Sequence, residues 1–229
     1  MFLIILAILP AAVLGVYIYQ KDRVEKEPLP MLAWLFVLGG LTTVSAVIIG
    51  VLAETLVTPF VKDGSLAYIL IENFLLVALV EEGGKYFVLK KRTWKSPEFN
   101  YTFDAVVYAI VVSLGFATVE NILYVSGDTI HTAIMRGILA VPGHAIDGVF
   151  MGFYYGLARQ ARGWGDEQAV RQNLRRALWV PVLTHGFYDF CLSMESDAFF
   201  TVFIVFEIVI TILAIRKVNR LSREDAPIV

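Results

Sequence analysis

Seven long apolar stretches are the feature that most constrains what this 229-residue chain can fold into. A helix needs about 20 consecutive apolar residues to cross the hydrocarbon core of a bilayer. Only 17% of the residues are charged, against about 25% in soluble proteins, which excludes an ordinary soluble enzyme, a disordered regulator and a nucleic-acid-binding protein. We therefore predict an all-α polytopic membrane protein, a bundle of about seven transmembrane helices that forms a single domain over residues 1–229. The predicted spans are 2–19, 31–56, 66–89, 102–125, 133–158, 174–194 and 198–215.

The basic residues predict how this bundle is oriented. Lys and Arg in short connections resist translocation and stay in the cytoplasm. Sixteen of the 19 basic residues fall in the connections after the first, third and fifth spans and in the carboxyl-terminal tail. This asymmetry places the amino terminus outside and the carboxyl terminus in the cytoplasm.

Ionisable side chains are unusually frequent within the predicted spans. Each charge near the bilayer centre costs about 2.5 to 3.5 kcal/mol even on lenient insertion scales. A polar cavity between the third and sixth spans explains so many of them most economically. The residues in question are Glu72, Glu81, Glu82, Lys85, Asp104, Glu120, Arg136, His144, Asp147, His185, Asp189 and Glu207.

Helical spacing predicts which of these groups support one another. Residues three or four apart lie on one face of a helix, so the sequence predicts three pairs: Glu81 with Lys85, His144 with Asp147, and His185 with Asp189. At about 1.5 Å per residue, Glu81, His144 and His185 reach similar depths in the membrane. Glu120 comes out nearer the outer face, so its place in the same site requires a tilted helix or a funnel-shaped cavity.

The chemistry of this set suits hydrolysis of an amide bond inside the membrane. Two adjacent glutamates do not both ionise cheaply in a low-dielectric cavity, so we expect one to keep its proton and the other to activate a water molecule. Two histidines at the same depth can orient that water, donate to a developing oxyanion or protonate the leaving amine. One or two carboxylates with two histidines also make a plausible zinc site, and the residues leave that alternative open.

Gly148, Gly152 and Gly156 form a stripe of small residues on the fifth span. Such a stripe allows another backbone to approach closely. We predict that it packs against a helix of the same chain rather than against a second copy.

An ordered series of short motifs between residues 66 and 189 resembles the PrsW family of bacterial intramembrane proteases, which is similar in turn to the glutamate-dependent CAAX-processing endopeptidase superfamily. The motifs lie on four successive predicted spans, in the order that the family shows. They are Glu81-Glu82-Gly83-Gly84-Lys85, Phe103-Asp104-Ala105-Val106-Val107-Tyr108, Gly115-Phe116-Ala117 with Glu120-Asn121 and Tyr124, Arg136 with Pro142, His144 and Gly148, and His185-Gly186-Phe187-Tyr188-Asp189.

The resemblance implies a multi-pass peptidase of the bacterial cytoplasmic membrane that cuts a membrane-spanning protein. That substrate is typically an anti-sigma factor, whose cleavage starts a stress response. Carried over to this chain, with a catalytic core over about 66–194, the resemblance makes Glu81, Glu82, His144 and His185 catalytic, with Glu81 as the base. It also implies supporting roles: Asp189 orients His185, and the Asn121 amide donates to the oxyanion, with no metal or other cofactor.

Three alternatives compete with a glutamate-type protease. The first is a zinc-dependent protease that uses the same residues. The second is a proton-coupled transporter, whose buried acids and histidines would relay protons, although the paired repeats usual in transporters are missing from the sequence. The third is a non-catalytic scaffold that keeps the polar cavity.

Overall fold

A computed structural model of the protein describes residues 2–125 and 129–228. The described residues form helices joined by short connections, and their one β-type contact is an isolated bridge between Tyr101 and Pro227. Residues 126–128, in the predicted connection between the fourth and fifth spans, lie outside the described residues. The helices are α1 (Phe2–Lys21), α2 (Leu29–Val57), α3 (Leu66–Ile71), a π-helical segment (Glu72–Ala78), α4 (Leu79–Thr93), α5 (Asp104–Val125), α6 (Ile130–Ile138), α7 (Ala140–Gly163), α8 (Glu167–Ser193) and α9 (Asp197–Leu221).

Each of the seven predicted spans is helical, and the all-α prediction is confirmed for the described residues. By length and composition, five helical stretches are apolar enough to cross a membrane: 3–21, 29–57, 104–125, 130–163 and 197–221. The predicted third and sixth spans are not among them, because they carry the ionisable groups described above. The predicted fifth span is divided into α6 and α7 at Leu139, and α8 begins seven residues before the predicted sixth span.

Helix α5 forms the centre of the bundle, and 17 of its 22 residues are buried. It packs against α1, α2 and α7. Contact with α2 is so close that an added Cβ at Gly39 would lie 2.1 Å from the Val112 carbonyl oxygen, and one at Gly115 would lie 2.0 Å from the Phe36 carbonyl oxygen. Small residues therefore allow the two backbones to touch.

We expect Gly115→Ala to lower the free energy of unfolding by about 1–3 kcal/mol, because the added methyl group meets backbone that has no room to move. Gly83→Ala is the matched control, since a Cβ there meets nothing within 4 Å. Unfolding of both variants in detergent, followed by circular dichroism, measures the difference. Equal stability of the two variants would contradict the close packing of α2 on α5.

The small-residue stripe on α7 packs against α5, as predicted. An added Cβ at Gly152 would lie 2.6 Å from the Ala105 carbonyl oxygen, and one at Gly148 would lie 3.0 Å from the Ile110 Cα. Gly156 approaches Thr102 and Ala105 in the same way. The stripe therefore serves packing within one chain.

The π-helical segment immediately precedes the two adjacent glutamates of α4. π-Helical turns are rare and occur often at functional sites. Here the segment packs against α8. The ring of Phe74, in the π-helical segment, lies so close to Gly186 of α8 that a Cβ added at Gly186 would be 2.5 Å from Phe74 Cδ1. This contact brings His185, the neighbour of Gly186, beside the start of α4.

The polar connections at the basic end of the bundle are joined in a buried network. Glu27 accepts a hydrogen bond from the Tyr108 hydroxyl at 2.5 Å, and Asp22 accepts one from the Glu27 backbone N–H at 3.3 Å. In the carboxyl-terminal tail, Asp225 accepts the Phe103 backbone N–H at 2.8 Å. Burial raises the pKa of Asp22 to about 6 and the pKa of Glu27 to about 7.

The raised pKa of Glu27 predicts that acid stabilises the protein. In the folded state Glu27 keeps its proton up to about pH 7, whereas its ordinary pKa is 4.5. The folded protein then binds more protons than the unfolded chain between these two pH values, so the free energy of unfolding falls as the pH rises from one to the other.

We expect the free energy of unfolding to fall less in Glu27→Gln than in the unsubstituted protein, measured by denaturation at pH 4.5 and pH 7. Glu224→Gln, at an exposed position, should behave like the unsubstituted protein; the same pH dependence in all three would disprove the assignment.

Candidate active site

Glu82, Lys85 and His185 form the innermost part of a polar network between α4, α7 and α8. The Lys85 ammonium donates to Glu82 Oε1 at 2.6 Å, and the same oxygen lies 3.0 Å from His185 Nδ1. Glu82 and Lys85 are both completely buried. Lys85 also lies over the Phe116 ring, 4.1 Å from its centroid, a favourable position for a buried cation.

His144 continues the network towards α5 and α6. Its Nδ1 lies 3.0 Å from Lys85 Nζ, and its Nε2 lies 3.0 Å from Glu120 Oε2. An ammonium group only donates, so His144 Nδ1 accepts from Lys85 and His144 Nε2–H donates to Glu120. This geometry assigns His144 the neutral Nε2–H form. Arg136 donates to the same Glu120 oxygen at 2.6 Å.

Glu81 differs from its neighbour because it lines two cavities, whereas Glu82 is completely buried. Its side chain is 13% exposed, and its Oε2 has no hydrogen-bond partner among the described residues. That oxygen lies 3.9 Å from His185 Nε2, which is also 3.2 Å from Asp189 Oδ2. Glu82 Oε2 has no partner among the described residues either, so the two glutamates differ in access: Glu81 is the partly exposed one and lies beside His185 Nε2.

Two of the three predicted pairs differ in the structure. Lys85 pairs with Glu82 at i,i+3 rather than with Glu81, because the ammonium turns inward to meet His144 as well. Asp147 accepts a 2.5 Å hydrogen bond from the Thr184 hydroxyl instead of one from His144. The contact between His185 and Asp189 is present, at 3.2 Å.

Glu120 and Asn121 also lie differently from expectation. Glu120 contacts His144 directly, so it belongs to the network although helical spacing predicts it nearer the outer face. The Asn121 amide nitrogen donates to the Ala7 carbonyl at 3.0 Å, while its Oδ1 accepts from Arg136 Nε at 3.0 Å. Its amide is fully buried in these contacts, so Asn121 anchors Arg136 to α1 rather than offering a donor to the cavity.

Two cavities of about 400 and 410 Å³ meet at this network. Both are lined by Val77, Glu81, Glu120 and Tyr124. The first continues between α6, α7 and α8 along polar side chains that include Arg136, His185 and Asp189. The second continues beside α2 along small and apolar residues that include Thr43, Ala46 and Gly50. Glu81 therefore lies where a polar cavity and an apolar cavity join.

Sequence reasoning does not predict the contacts of Arg136 and Thr184. Arg136 stands out in the sequence as an ion within a span and as part of a motif, but nothing in its spacing indicates its pairing with Glu120, which is sixteen residues away. Thr184 immediately precedes His185. Its hydroxyl would indicate a hydrogen bond to Asp147 only if α7 were already known to face α8. Both contacts are made between helices, so local periodicity does not predict them.

Comparisons with known proteins find similar sequences over most of the chain. The family model described as "PrsW family intramembrane metalloprotease" matches residues 27–215. The chain is 38% identical to Protease PrsW of Bacillus subtilis, with 86% of each chain covered, and 34% identical to that of Oceanobacillus iheyensis, with 93% of each covered. It is 33% identical to Protease PrsW of Halalkalibacterium halodurans over 96% of each chain. No solved structure matches the chain significantly.

The family description names a metalloprotease, so the side chains can be examined for a set of residues that would bind a metal ion. One donor atom each from Glu82, His144, Asp147 and His185 lie within 4.8 Å of one another, and Glu81, Glu120 and His144 form a second such group. Carboxylates and imidazoles are zinc ligands. In the first group, however, the Lys85 ammonium already contacts Glu82 and His144, and in the second the Arg136 guanidinium contacts Glu120. Glu82 Oε2 and Glu81 Oε2 have no hydrogen-bond partner among the described residues, so each group keeps a carboxylate oxygen that could bind an ion beside these cations.

Proposed function

Because the chain belongs to the PrsW family of membrane proteases, we propose that it is a glutamate-type intramembrane endopeptidase. The observation that carries this proposal is the position of Glu81, which lines both cavities while Glu82 lines neither, and whose Oε2 lies 3.9 Å from His185 Nε2. Its substrate is a membrane-anchored protein, and an anti-sigma factor in stress signalling is the class that the family resemblance implies. The seven helical stretches all cross the bacterial cytoplasmic membrane, with the amino terminus outside.

The first chemical step uses Glu81 as a general base. A water molecule bound between Glu81 and the substrate carbonyl transfers one proton to the Glu81 carboxylate, while its oxygen forms a bond to the carbonyl carbon. His185 Nδ1–H donates to Glu82 and its Nε2 lies beside Asp189, so these two acids support the imidazolium form, whose Nε2–H can donate to the oxyanion that forms on the carbonyl oxygen. Glu82 and Lys85 are positioning residues in this scheme.

The second step breaks the carbon–nitrogen bond. The proton taken up by Glu81 passes to the leaving amine as the carbonyl double bond re-forms, so that water has been added across the peptide bond and Glu81 returns to its starting state. His144 is a positioning residue in this scheme, because its two ring nitrogens join Lys85 to Glu120. The products are a new carboxyl group and a new amine.

The two cavities provide a path for the substrate strand. The apolar cavity beside α2 suits side chains arriving from the lipid, and the polar cavity lined by Arg136 and Asp189 suits a hydrated segment. A strand that crosses from one cavity to the other places a peptide bond next to Glu81. Thr43, Ala46 and Gly50 are small, which leaves the space for the apolar part of the strand.

A zinc protease using the same residues is the second candidate, favoured by the group of four donors within 4.8 Å and by the family description. The two candidates differ in a reconstituted assay. Purified protein in proteoliposomes is given a single-span membrane protein as substrate, with and without extensive chelation. We expect cleavage to be unchanged by chelation and metal analysis to find less than one zinc per chain. Stoichiometric zinc that is lost together with activity, and that restores activity when returned, would establish the zinc mechanism instead.

The natural substrate can be identified by comparing membrane proteins that accumulate uncut when Glu81 is replaced. An anti-sigma factor among them would support the proposed pathway. If the uncut proteins are all of another class, the substrate assignment is wrong while the peptidase assignment stands.

A further inference from the structure

A basic pocket lies at the cytoplasmic end predicted for the bundle, away from the catalytic network. Its volume is about 590 Å³, and it is lined by Lys21 and Arg23 at and after the end of α1 and by Arg216, Arg220 and Arg223 at and after the end of α9. Asn219 and Ser222 complete the described lining, which contains no acidic side chain. Arg220 contacts Glu224 at 3.5 Å, but both side chains are more than half exposed, so this ion pair neutralises little of the pocket.

Hydrogen bonds hold the two walls of the pocket together. The Lys21 ammonium donates to Asn219 Oδ1 at 2.6 Å, and the Ser222 hydroxyl donates to the Lys21 carbonyl. The pocket is therefore formed by two helix ends in a defined arrangement. The positive-inside asymmetry accounts for basic residues at this end of the molecule, but it does not require five of them to converge on one concavity.

An apolar cleft lies directly beside this pocket, on the membrane side. The cleft encloses about 150 Å³ between α1, α7 and α9. Its lining includes Ile18, one turn before Lys21, and Ile215 and Val218, which flank the basic residues of α9. The same two helices therefore present hydrocarbon at membrane depth and cations at the membrane surface.

We infer that this composite surface binds one anionic phospholipid of the surrounding bilayer, with its phosphate in the basic pocket and the start of an acyl chain in the apolar cleft. Basic pockets between transmembrane helices on the cytoplasmic side are suited to anionic headgroups. A free phosphate would use the cations but not the cleft, and a neutral lipid would use the cleft but not the cations. Only an anionic amphiphile matches both.

The bound lipid would also contact the back of the helix that carries His144. Pro142, Ala145 and Val149 of α7 line the apolar cleft, while His144 and Asp147 point to the catalytic network on the other side. The site is nevertheless separate from the chemistry, and the inference stands whether or not the hydrolytic mechanism is correct.

Native mass spectrometry of the purified full-length chain tests this inference. The protein is extracted into mild detergent, titrated with phosphatidylglycerol or phosphatidylcholine, and the retained lipid is counted. We expect one phosphatidylglycerol to be retained and no phosphatidylcholine. In the double variant Arg216→Gln/Arg220→Gln we expect about 30-fold weaker binding of phosphatidylglycerol, because two headgroup cations are lost. The control Arg171→Gln/Arg175→Gln removes the same charge from exposed positions of α8 and should bind as the unsubstituted protein does.

A second variant examines the apolar half of the site. Thr211→Phe places a ring in the cleft without changing any charge, and we expect it to weaken retention of phosphatidylglycerol. Inorganic phosphate at millimolar concentration should not displace the lipid. The inference is overturned if both double variants bind equally, if phosphatidylcholine is retained as well as phosphatidylglycerol, or if phosphate displaces the lipid and Thr211→Phe has no effect. A dimer that Arg216→Gln/Arg220→Gln dissociates would also overturn the inference. In that case a second copy of the chain, and not a lipid, would occupy this surface.

Discussion

Glu81→Gln is expected to reduce cleavage of a membrane-anchored substrate by about 10²–10⁴-fold, the usual contribution of a general base. The substitution keeps the size of the side chain but removes its ability to accept a proton from water. Because Glu81 Oε2 has no hydrogen-bond partner among the described residues, the protein should fold and insert normally. Initial rates in proteoliposomes, measured at saturating substrate, report the loss.

Glu72→Gln is the matched control for this experiment. Glu72 lies at the start of the π-helical segment that precedes α4. It lines neither of the two cavities that meet at Glu81. Its replacement should leave the rate within about two-fold, as expected for a change outside the catalytic network. If Glu81→Gln is fully active and Glu82→Gln is inactive, the general base is Glu82 and not Glu81.

Lys85→Met is expected to lower the free energy of unfolding by about 3–5 kcal/mol, because it leaves a buried carboxylate without its cation. Glu82 and Lys85 are both 0% exposed and lie 2.6 Å apart. Methionine fills a similar volume, so the loss reports charge rather than a cavity. Chemical denaturation in detergent measures it.

Adding Glu82→Gln to Lys85→Met should restore most of the lost stability, since the uncompensated charge is then removed as well. Cleavage should remain impaired, because His185 has lost the carboxylate that holds its Nδ1. Lys91→Met removes a lysine from the exposed part of the same helix and should change stability by no more than about 0.5 kcal/mol. If Lys85→Met is as stable as the unsubstituted protein, Lys85 does not neutralise Glu82.

Much of the candidate site was predictable because membrane burial makes ionisable residues conspicuous. Glu81, Glu82, His144 and His185 stand out within apolar spans, and the structure brings all four into one network. The pairing of His185 with Asp189 followed from i,i+4 spacing within a single helix. The glycine spacing on α7 was likewise a local signal, because glycines on one face of a helix allow a neighbouring backbone to approach closely.

Contacts between helices were not predictable in the same way. The partner of Lys85 depends on where α7 places His144, and the partner of Asp147 depends on Thr184 of α8. Depth counted along a straight helix also gave no sign that the side chain of Glu120 reaches His144, which is a contact between two helices. The break at Leu139 between α6 and α7 had no strong signal in the apolar pattern.

By itself, the sequence of this protein determined the class of fold, its helical segments and the residue types available for chemistry, because hydrophobic length and the cost of buried charge act locally along the chain. The tertiary structure decided which glutamate lines the cavities, which cation neutralises which acid, and where the cavities meet. Those properties depend on distances of a few ångströms between side chains from different helices, and packing between helices sets such distances.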